Sequence, residues 1–131
     1  MKQFIGEHKP NPAFSADMAI LEEALETLVE ISLYYARYLK EGKMGLIPLT
    51  ATRFLDSMAE VAIAHLLLDQ GLIAAGKLSR GNCGEADTRF YRGKIETVHY
   101  YLRNFLPQVF GRARIIRLAD TSAMDINEEW L

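Results

Sequence analysis

The chain has 131 residues, half of them hydrophobic, and its 15 basic and 17 acidic side chains leave a formal charge of −2. This length corresponds to one domain with an ordinary core, and the apolar, near-neutral composition excludes a disordered chain. The lone cysteine, Cys83, excludes an internal disulfide framework. The small net charge argues against a general nucleic-acid-binding protein.

The N-terminus and the most apolar window bear on targeting and membranes. Residues 1–12 lack the continuous apolar run of a signal peptide. Residues 61–75 form the most apolar window, but His65, Asp69 and Gln70 interrupt it. The window is also shorter than the roughly 20 apolar residues that a membrane span needs. We therefore expect a cytoplasmic protein without a membrane partner.

The first long helical pattern runs from about residue 12 to Gly42. Its apolar side chains recur at alternating steps of three and four, which places them on one face of a helix. They are Phe14, Met18, Leu21, Leu25, Leu28, Tyr35 and Leu39. We expect Ser15 to cap the first turn, with Asp17 favouring the positive helix end. Gly42 should end the helix, because glycine accepts the left-handed conformation.

The second pattern follows Pro48, with Thr50 or Thr52 as its expected cap, and ends at about Leu78. It carries two neighbouring apolar stripes, which together favour a helix buried on two sides. One stripe contains Phe54, Met58, Val61, His65, Leu68, Leu72 and Ala75. The other contains Leu55, Ala62, Leu66 and Ile73.

The third pattern starts with Asp87 or Thr88 as cap and continues to about residue 117. Pro107 lies inside it. Because proline lacks a backbone N–H and crowds the preceding turn, we expect a kink there, with the helix resuming beyond it. A short helix over residues 1–8 is expected at the N-terminus. The acidic tail should form a loop or a short final turn.

These patterns predict an all-α protein, because no stretch shows the sustained alternation of a strand. Three helices of roughly 40 Å each, joined by short loops, should pack as an up-down bundle. A fourth element would come from the short N-terminal helix or from a second chain. We assign residues 1–131 to a single domain, with the three long helices over about 14–120 and the acidic tail over 121–131.

A metal site is one candidate chemistry. Glu96 and His99 are spaced as Glu-x-x-His, which places both side chains on one helix face. Di-iron bundles use that spacing twice, with glutamates from two other helices. This chain contains the motif once, and Glu26 or Glu30 of the first helix would be a further ligand. Alternatively, the two residues belong to the surface of an amphipathic helix, which is the interpretation that we favour.

Two further residues invite a chemical role. His65 lies on an apolar stripe, where a hydrogen-bonded core or interface histidine is the expected role. Cys83 lies in a loop rich in turn-forming residues, without a Cys or His at ligand spacing. As a nucleophile it would need an adjacent base, and nothing local in the sequence places His65 or His99 beside it.

The third helix is basic. It carries Glu96 as its one acidic residue after the cap, against Arg89, Arg92, Lys94, Arg103, Arg112, Arg114 and Arg117. These side chains would suit phosphates, but a phosphate cradle usually adds a glycine-rich turn at a helix N-terminus. We favour packing against the acidic face of the first helix. The six tyrosines of the chain are typical of a partner surface.

One stretch resembles a known family. Residues 90–101, FYRGKIETVHYY, lead to Phe105-Leu106-Pro107. This is similar to "FYxxKIxTAxFYxxxxLP", the third helix of a module that follows the catalytic core in one large branch of the acyl-CoA dehydrogenases. Residues 19–36, 52–78 and 123–131 resemble the module's first helix, second helix and acidic end. The sequence departs from the family at residues 62–66, where small residues are usual, and at His99.

The resemblance implies a place next to a flavoenzyme. Members of the family bind FAD and abstract the α-proton of an acyl-CoA with a glutamate, and those groups lie in the upstream core. No position of this chain matches the motifs of that core. We therefore assign no catalytic, cofactor-binding or metal-binding residue here, and expect FAD only in a core elsewhere.

These observations predict a non-catalytic helical module, inactive alone, that supports core packing, oligomerisation or the acyl-CoA entrance of a dehydrogenase in fatty acid metabolism. Its expected partners are that core or a second copy in a homodimer, with no nucleic acid. Two alternatives stay open. One is a stand-alone dimeric helical-bundle interaction protein, and the other is a metal-binding bundle.

Overall fold

The computed structural model of the chain describes residues 1–130, apart from the side chain of Glu128. Within that range it contains helices and turns and no strand, which confirms the all-α prediction. Leu131, the end of the predicted tail, lies outside the described residues. The helices are α1 (Lys2–His8), α2 (Ser15–Lys40), α3 (Leu46–Ser79), α4 (Glu85–Asn104), α5 (Gln108–Leu118), α6 (Ser122–Asp125) and a 3₁₀ turn (Glu128–Trp130).

The long helices form the predicted bundle. Short connections over residues 41–45 and 80–84 make α2, α3 and α4 neighbours that run in alternating directions. The most extensive packing joins α3 to α4, and both α2 and α5 also pack on α3. The predicted N-terminal helix is present as α1, which packs against α2 and adds a fourth element to one end of the bundle.

The core is a continuous cluster of buried apolar side chains from all the long helices. Its members include Phe14, Met18, Leu21, Ala24, Val61, Ala64, Leu68, Val98, Leu102, Leu106 and Val109. A second cluster joins the far half of α2 to α5 through Ile31, Ala113 and Ile116. The buried face of α2 therefore rotates along the helix, and Leu39 of the predicted stripe is exposed.

The third pattern is interrupted at Pro107 and resumes beyond it, as predicted, but the interruption is a break and not a kink. The chain leaves helical geometry after Asn104 and begins α5 at Gln108, so the third pattern is two helices joined by a three-residue turn. Proline has no N–H to donate to the carbonyl of Arg103, and it disfavours helical geometry in the residue before it. The N–H groups of Phe105 and Leu106 both donate to the Tyr101 carbonyl instead, which closes the end of α4.

Two predicted threonine caps are wrong, because their helices start earlier. Thr50 lies inside α3, where its hydroxyl is 2.9 Å from the carbonyl oxygen of Leu46. Thr88 lies inside α4, and its hydroxyl is 2.9 Å from the carbonyl oxygen of Gly84. A hydroxyl that bonds one turn back along its own helix is the usual alternative to capping.

The ends of α2 also refine the prediction. Phe14 occupies the cap position without a side-chain hydrogen bond, and Ser15 is already helical. Asp17 does lie in the first turn, as expected. At the other end the helix stops at Lys40, and Gly42 adopts the left-handed conformation with φ of 71°, as the sequence predicts.

Candidate interaction surface

A buried carboxylate joins the start of α2 to α4. Asp17 is fully buried, and its oxygens lie 2.9 Å from Arg103 Nε and 2.8 Å from His99 Nδ1. Because a carboxylate only accepts, both nitrogens donate to it. The bond to Asp17 raises the pKa of Arg103. A buried charge with two charge-assisted or polar partners is stable where a lone one would be costly.

Aromatic and close backbone packing surround this cluster. The ring of Phe14 lies 5.3 Å from the ring of His99, centroid to centroid. Phe14 in turn lies against Gly71 of α3, where an added Cβ would stand 3.1 Å from the phenyl ring and 3.0 Å from Val98. The cluster therefore holds three helices at one level of the bundle. Its geometry indicates a structural role for His99.

The metal hypothesis finds no support at this level. His99 faces Asp17 and Arg103, whereas Glu96 is exposed one turn earlier on α4. Among residues 1–130, no three His, Cys, Asp or Glu side chains are close enough to share an ion. Glu30 of α2, the other candidate ligand, pairs with Arg117 of α5.

The basic third pattern meets acidic side chains of both other long helices, and the pair of Arg117 with Glu30 is the contact with the first helix that the sequence predicts. Arg112 of α5 makes a bidentate salt bridge with Glu60 of α3. Its Nη1 and Nη2 lie 2.5 Å and 2.8 Å from the two carboxylate oxygens, and both side chains are mostly buried. This contact raises the pKa of Arg112. Together with the pair of Glu30 and Arg117, it fixes α5 across two neighbouring helices. Much of the basic character of the third pattern is therefore used within the bundle, and is not presented as a phosphate site.

The remaining candidates have structural partners. His65 is half-buried, and its ring lies 4.5 Å from that of Phe4 in α1, in an edge-to-face arrangement. This places His65 at a contact between α1 and α3 within the chain. Cys83 lies in the connection before α4, with its sulfur 3.4 Å from the Lys77 carbonyl oxygen. His99 faces Asp17 and His65 faces Phe4, so neither histidine is placed beside this thiol.

The two sides of α3 lie in different environments. One side of the helix, here called the inner face, is buried against the bundle and consists of Ser57, Val61, Ala64, Leu68, Gly71 and Ala74. The opposite side, here called the outer face, is exposed. Its apolar side chains are Leu55, Met58, Ala59, Ala62, Ile63, Leu66 and Ile73, and the polar Asp69 and Gln70 lie between the last two. The expectation of a helix buried on two sides is therefore wrong for the single chain.

Sequence reasoning did not identify this exposed surface. The signal was present in the stripe of Leu55, Ala62, Leu66 and Ile73, but apolarity alone does not distinguish a buried stripe from an exposed one. In the structure Leu55 is 65% exposed, Leu66 59% and Ile73 55%. From Leu55 to Leu66 these side chains form a contiguous apolar patch, which is a mark of an interaction site.

The same apolarity makes α3 the one helix among the described residues that is long and apolar enough to cross a bilayer. Core helices of water-soluble proteins also meet this criterion, so it is weak evidence by itself. In this structure α3 packs on α2, α4 and α5.

Comparisons with known proteins find relatives of this chain among the acyl-CoA dehydrogenases. The chain is 38% identical over 122 residues to a butyryl-CoA dehydrogenase of Syntrophomonas wolfei, and 37% identical over 121 residues to a second one from that organism. These alignments cover 93% and 92% of this chain. It is also 25% identical over 133 residues to the broad-specificity linear acyl-CoA dehydrogenase FadE5 of Mycobacterium tuberculosis, covering 98% of the chain.

The coverage of the relatives is much smaller. The chain spans 20% of the length of each Syntrophomonas protein and 22% of the mycobacterial one. The family model described as "Acetyl-CoA dehydrogenase C-terminal like" matches residues 1–127. The resemblance inferred from residues 90–107 is thus confirmed, and the chain belongs to the acetyl-CoA dehydrogenase C-terminal-like family.

Proposed function

We propose that this chain is a non-catalytic module of an FAD-dependent acyl-CoA dehydrogenase, acting in fatty acid metabolism in the cytoplasm. The observation that carries the proposal is its match to one fifth of two butyryl-CoA dehydrogenases, over nearly its whole length. The chemistry would then belong to a core of the kind that occupies the other four fifths. The module would serve that core by packing, by oligomerisation or by shaping the acyl-CoA entrance.

The described residues do not fit an FAD. A cavity of about 400 Å³ lies between the connection of α2 to α3 and the C-terminal tail, and Lys43 is the one charged side chain that lines it. A dinucleotide needs a site toward the upper end of the range of about 300–1,000 Å³ typical of ligand pockets, with several groups facing its phosphates. We therefore derive no step of flavin chemistry through residues of this chain.

A role as a scaffold agrees with the distribution of polar groups. The buried carboxylate of Asp17 is saturated by His99 and Arg103, and the pair of Glu60 and Arg112 is closed on itself. A general base needs a free acceptor within reach of a substrate proton. These groups instead join helices, whereas the outer face of α3 presents an apolar surface to a partner.

The chain alone tests the non-catalytic part of the proposal. The purified protein would be mixed with FAD, then with butyryl-CoA and an artificial electron acceptor. We expect no flavin absorbance to remain after gel filtration and no turnover. Flavin retention or acceptor reduction by this chain alone would contradict the proposal.

A chimera tests the association with a core. The segment of the Syntrophomonas butyryl-CoA dehydrogenase that aligns with this chain would be replaced by residues 1–131, with the truncated enzyme as control. We expect the chimera to retain more flavin and more activity than the truncated enzyme. If the two behave alike, the module does not serve that core.

A stand-alone dimeric interaction protein is the second candidate, and the exposed outer face of α3 is the observation that favours it. Genomic context separates the two candidates. A dehydrogenase core encoded in the same reading frame or directly beside it favours the first, and its absence favours the second.

A further inference from the structure

We infer that the outer face of α3 binds the outer face of a second copy of this chain. The two α3 helices are antiparallel, and the two-fold axis crosses the outer face midway between Ala62 and Leu66, at the level of Ala64. The inference deepens the oligomerisation role proposed above and rests on it. It names both the surface and the orientation of the partner.

The first argument is the order of large and small side chains along the face. Leu66 and Ala62 each lie two residues from Ala64, on opposite sides of it. Leu55 and Ile73 each lie nine residues from it. Two antiparallel helices therefore place each Leu66 against the Ala62 of the other copy, a large side chain over a small one. Each Leu55 likewise meets the Ile73 of the other copy, which gives two apolar contacts at the ends.

This pattern is what a two-fold interface requires. In an isologous contact the same patch must be complementary to itself, so that a residue and its partner exchange places across the axis. Knobs that enter holes formed by small residues allow two helices to approach closely. A parallel arrangement would instead set Leu66 against Leu66 and Ala62 against Ala62, which holds the helices apart at the leucines and leaves a gap at the alanines.

The second argument is area. The seven side chains of the outer face expose on the order of 600 Å² in one chain, so two copies would bury roughly 1,200 Å², the lower end of stable interfaces. A patch of roughly 600 Å² is also at the upper end of what ordinary monomers leave exposed. The face is thus large enough for a specific dimer.

The third argument is charge. The outer face carries no charged side chain from Leu55 to Leu66. Glu60 is turned to Arg112 on the bundle side, and Asp56 also acts on Arg112. Asp69 lies on the same side of α3, one turn after Leu66 and one turn before Ile73, and it faces Ala59 of the other copy in the antiparallel arrangement. Pairing therefore buries no like charges against each other, which would cost several kcal/mol.

Sedimentation velocity of the full chain tests the surface. We expect a dimer for the natural sequence and a monomer for Leu66→Asp at the same concentration, with the dissociation constant raised at least about 30-fold. Leu33→Asp is the matched control, because Leu33 is 66% exposed on α2, away from this face. It should stay dimeric. Unchanged circular dichroism would show that both variants fold.

Cysteine cross-linking tests the orientation. In a Cys83→Ser background, Leu55→Cys and Ile73→Cys would be prepared as two separate proteins. The two positions lie about 27 Å apart along α3, so neither protein should form a disulfide with itself. Mixed and oxidised, they should form a covalent heterodimer. Self-linking of either protein alone would instead show a parallel pair and would overturn the antiparallel inference.

Other occupants of the face are outcomes that overturn the inference. A natural chain that sediments as a monomer and floats with phosphatidylcholine vesicles would assign the face to a membrane. A monomer in which Leu66→Asp abolishes the benefit of the module in the chimera would assign it to the catalytic core. The second outcome leaves the proposed function intact, so the two failures are distinguishable.

Discussion

The inner and outer faces of α3 both carry leucines and alanines and lie in opposite environments. Leu68 on the inner face is fully buried, whereas Leu66, two residues away, is 59% exposed. Hydropathy along the sequence treats the two leucines alike. The difference comes from α2, α4 and α5, which occupy one side of α3 and leave the other without a partner in the single chain. An apolar stripe therefore specifies that something must cover it, but not what.

The largest effect separates the two leucines directly. Leu68→Ala should lower the free energy of unfolding by about 2–5 kcal/mol, because it removes buried methyl groups and leaves a cavity. Leu66→Ala, measured at a concentration where the chain is monomeric, should change it by less than about 0.5 kcal/mol. Urea unfolding of both variants would measure the difference. Equal losses would mean that the outer face is covered within the single chain.

The next largest effect concerns Asp17, whose buried carboxylate joins α2 to α4. Asp17→Asn removes the charge that Arg103 and His99 contact, and should cost about 1–3 kcal/mol, since Arg103 is half-exposed and keeps its hydration. Glu22→Gln is the control, because its pair with Lys9 is exposed and should matter little. Chemical denaturation would compare them. A cost for Asp17→Asn no greater than that of the control would remove Asp17 from the stabilising contacts.

Substitutions of two glycines of α3 should change the stability by smaller amounts but in opposite directions. An added Cβ at Gly71 would stand within 3.1 Å of Val98 and Phe14, whereas one at Gly76 would meet nothing within 4 Å. Gly71→Ala should therefore destabilise by about 1 kcal/mol or more despite its better helix propensity. Gly76→Ala should stabilise by up to about 1 kcal/mol. Thermal unfolding would detect the opposite signs, and the same sign for both would contradict the packing described here.

The smallest effect belongs to Glu41 and its two surface partners, Arg37 and Lys43, and sets the baseline for surface contacts. Hydrogen bonds from Lys43 and Arg37 lower the pKa of Glu41 from 4.5 to about 2. A lowered pKa in the folded state adds stability above the unfolded pKa, and this stability is lost as the pH falls from about 4.5 to about 2. The melting temperature of Glu41→Gln should therefore lie slightly below that of the natural chain at pH 7.

Most of this difference should be lost at pH 2, where the carboxylate is about half protonated in the folded chain and almost fully protonated in the unfolded chain. Melting curves of both proteins between pH 2 and pH 7 would measure it. A difference that persists unchanged to pH 2 would show that Glu41 acts through packing and not through its charge.

The sequence by itself determined the fold class and most of its elements. Period, glycine punctuation and the absence of strand alternation are local signals, so α1, the long helices and the left-handed Gly42 were predictable. The FYRGKIETVHYY stretch also predicted the family, because its aromatic and basic residues are spaced distinctively. Helix starts were less accurate, since Thr50 and Thr88 serve their own helices as well as they would serve a cap.

The tertiary structure determines which polar residues pair with each other and which apolar residues stay exposed. His99 and Arg103 meet Asp17 across more than 80 residues, and Arg112 meets Glu60 across 52, distances over which no local pattern acts. The break at Pro107 was settled by hydrogen bonds to Tyr101 that the sequence leaves open. The outer face of α3 emerged for the same reason. A side chain is buried only where a neighbouring helix covers it. The sequence of a helix shows which of its faces is apolar, but it does not show which neighbour covers that face.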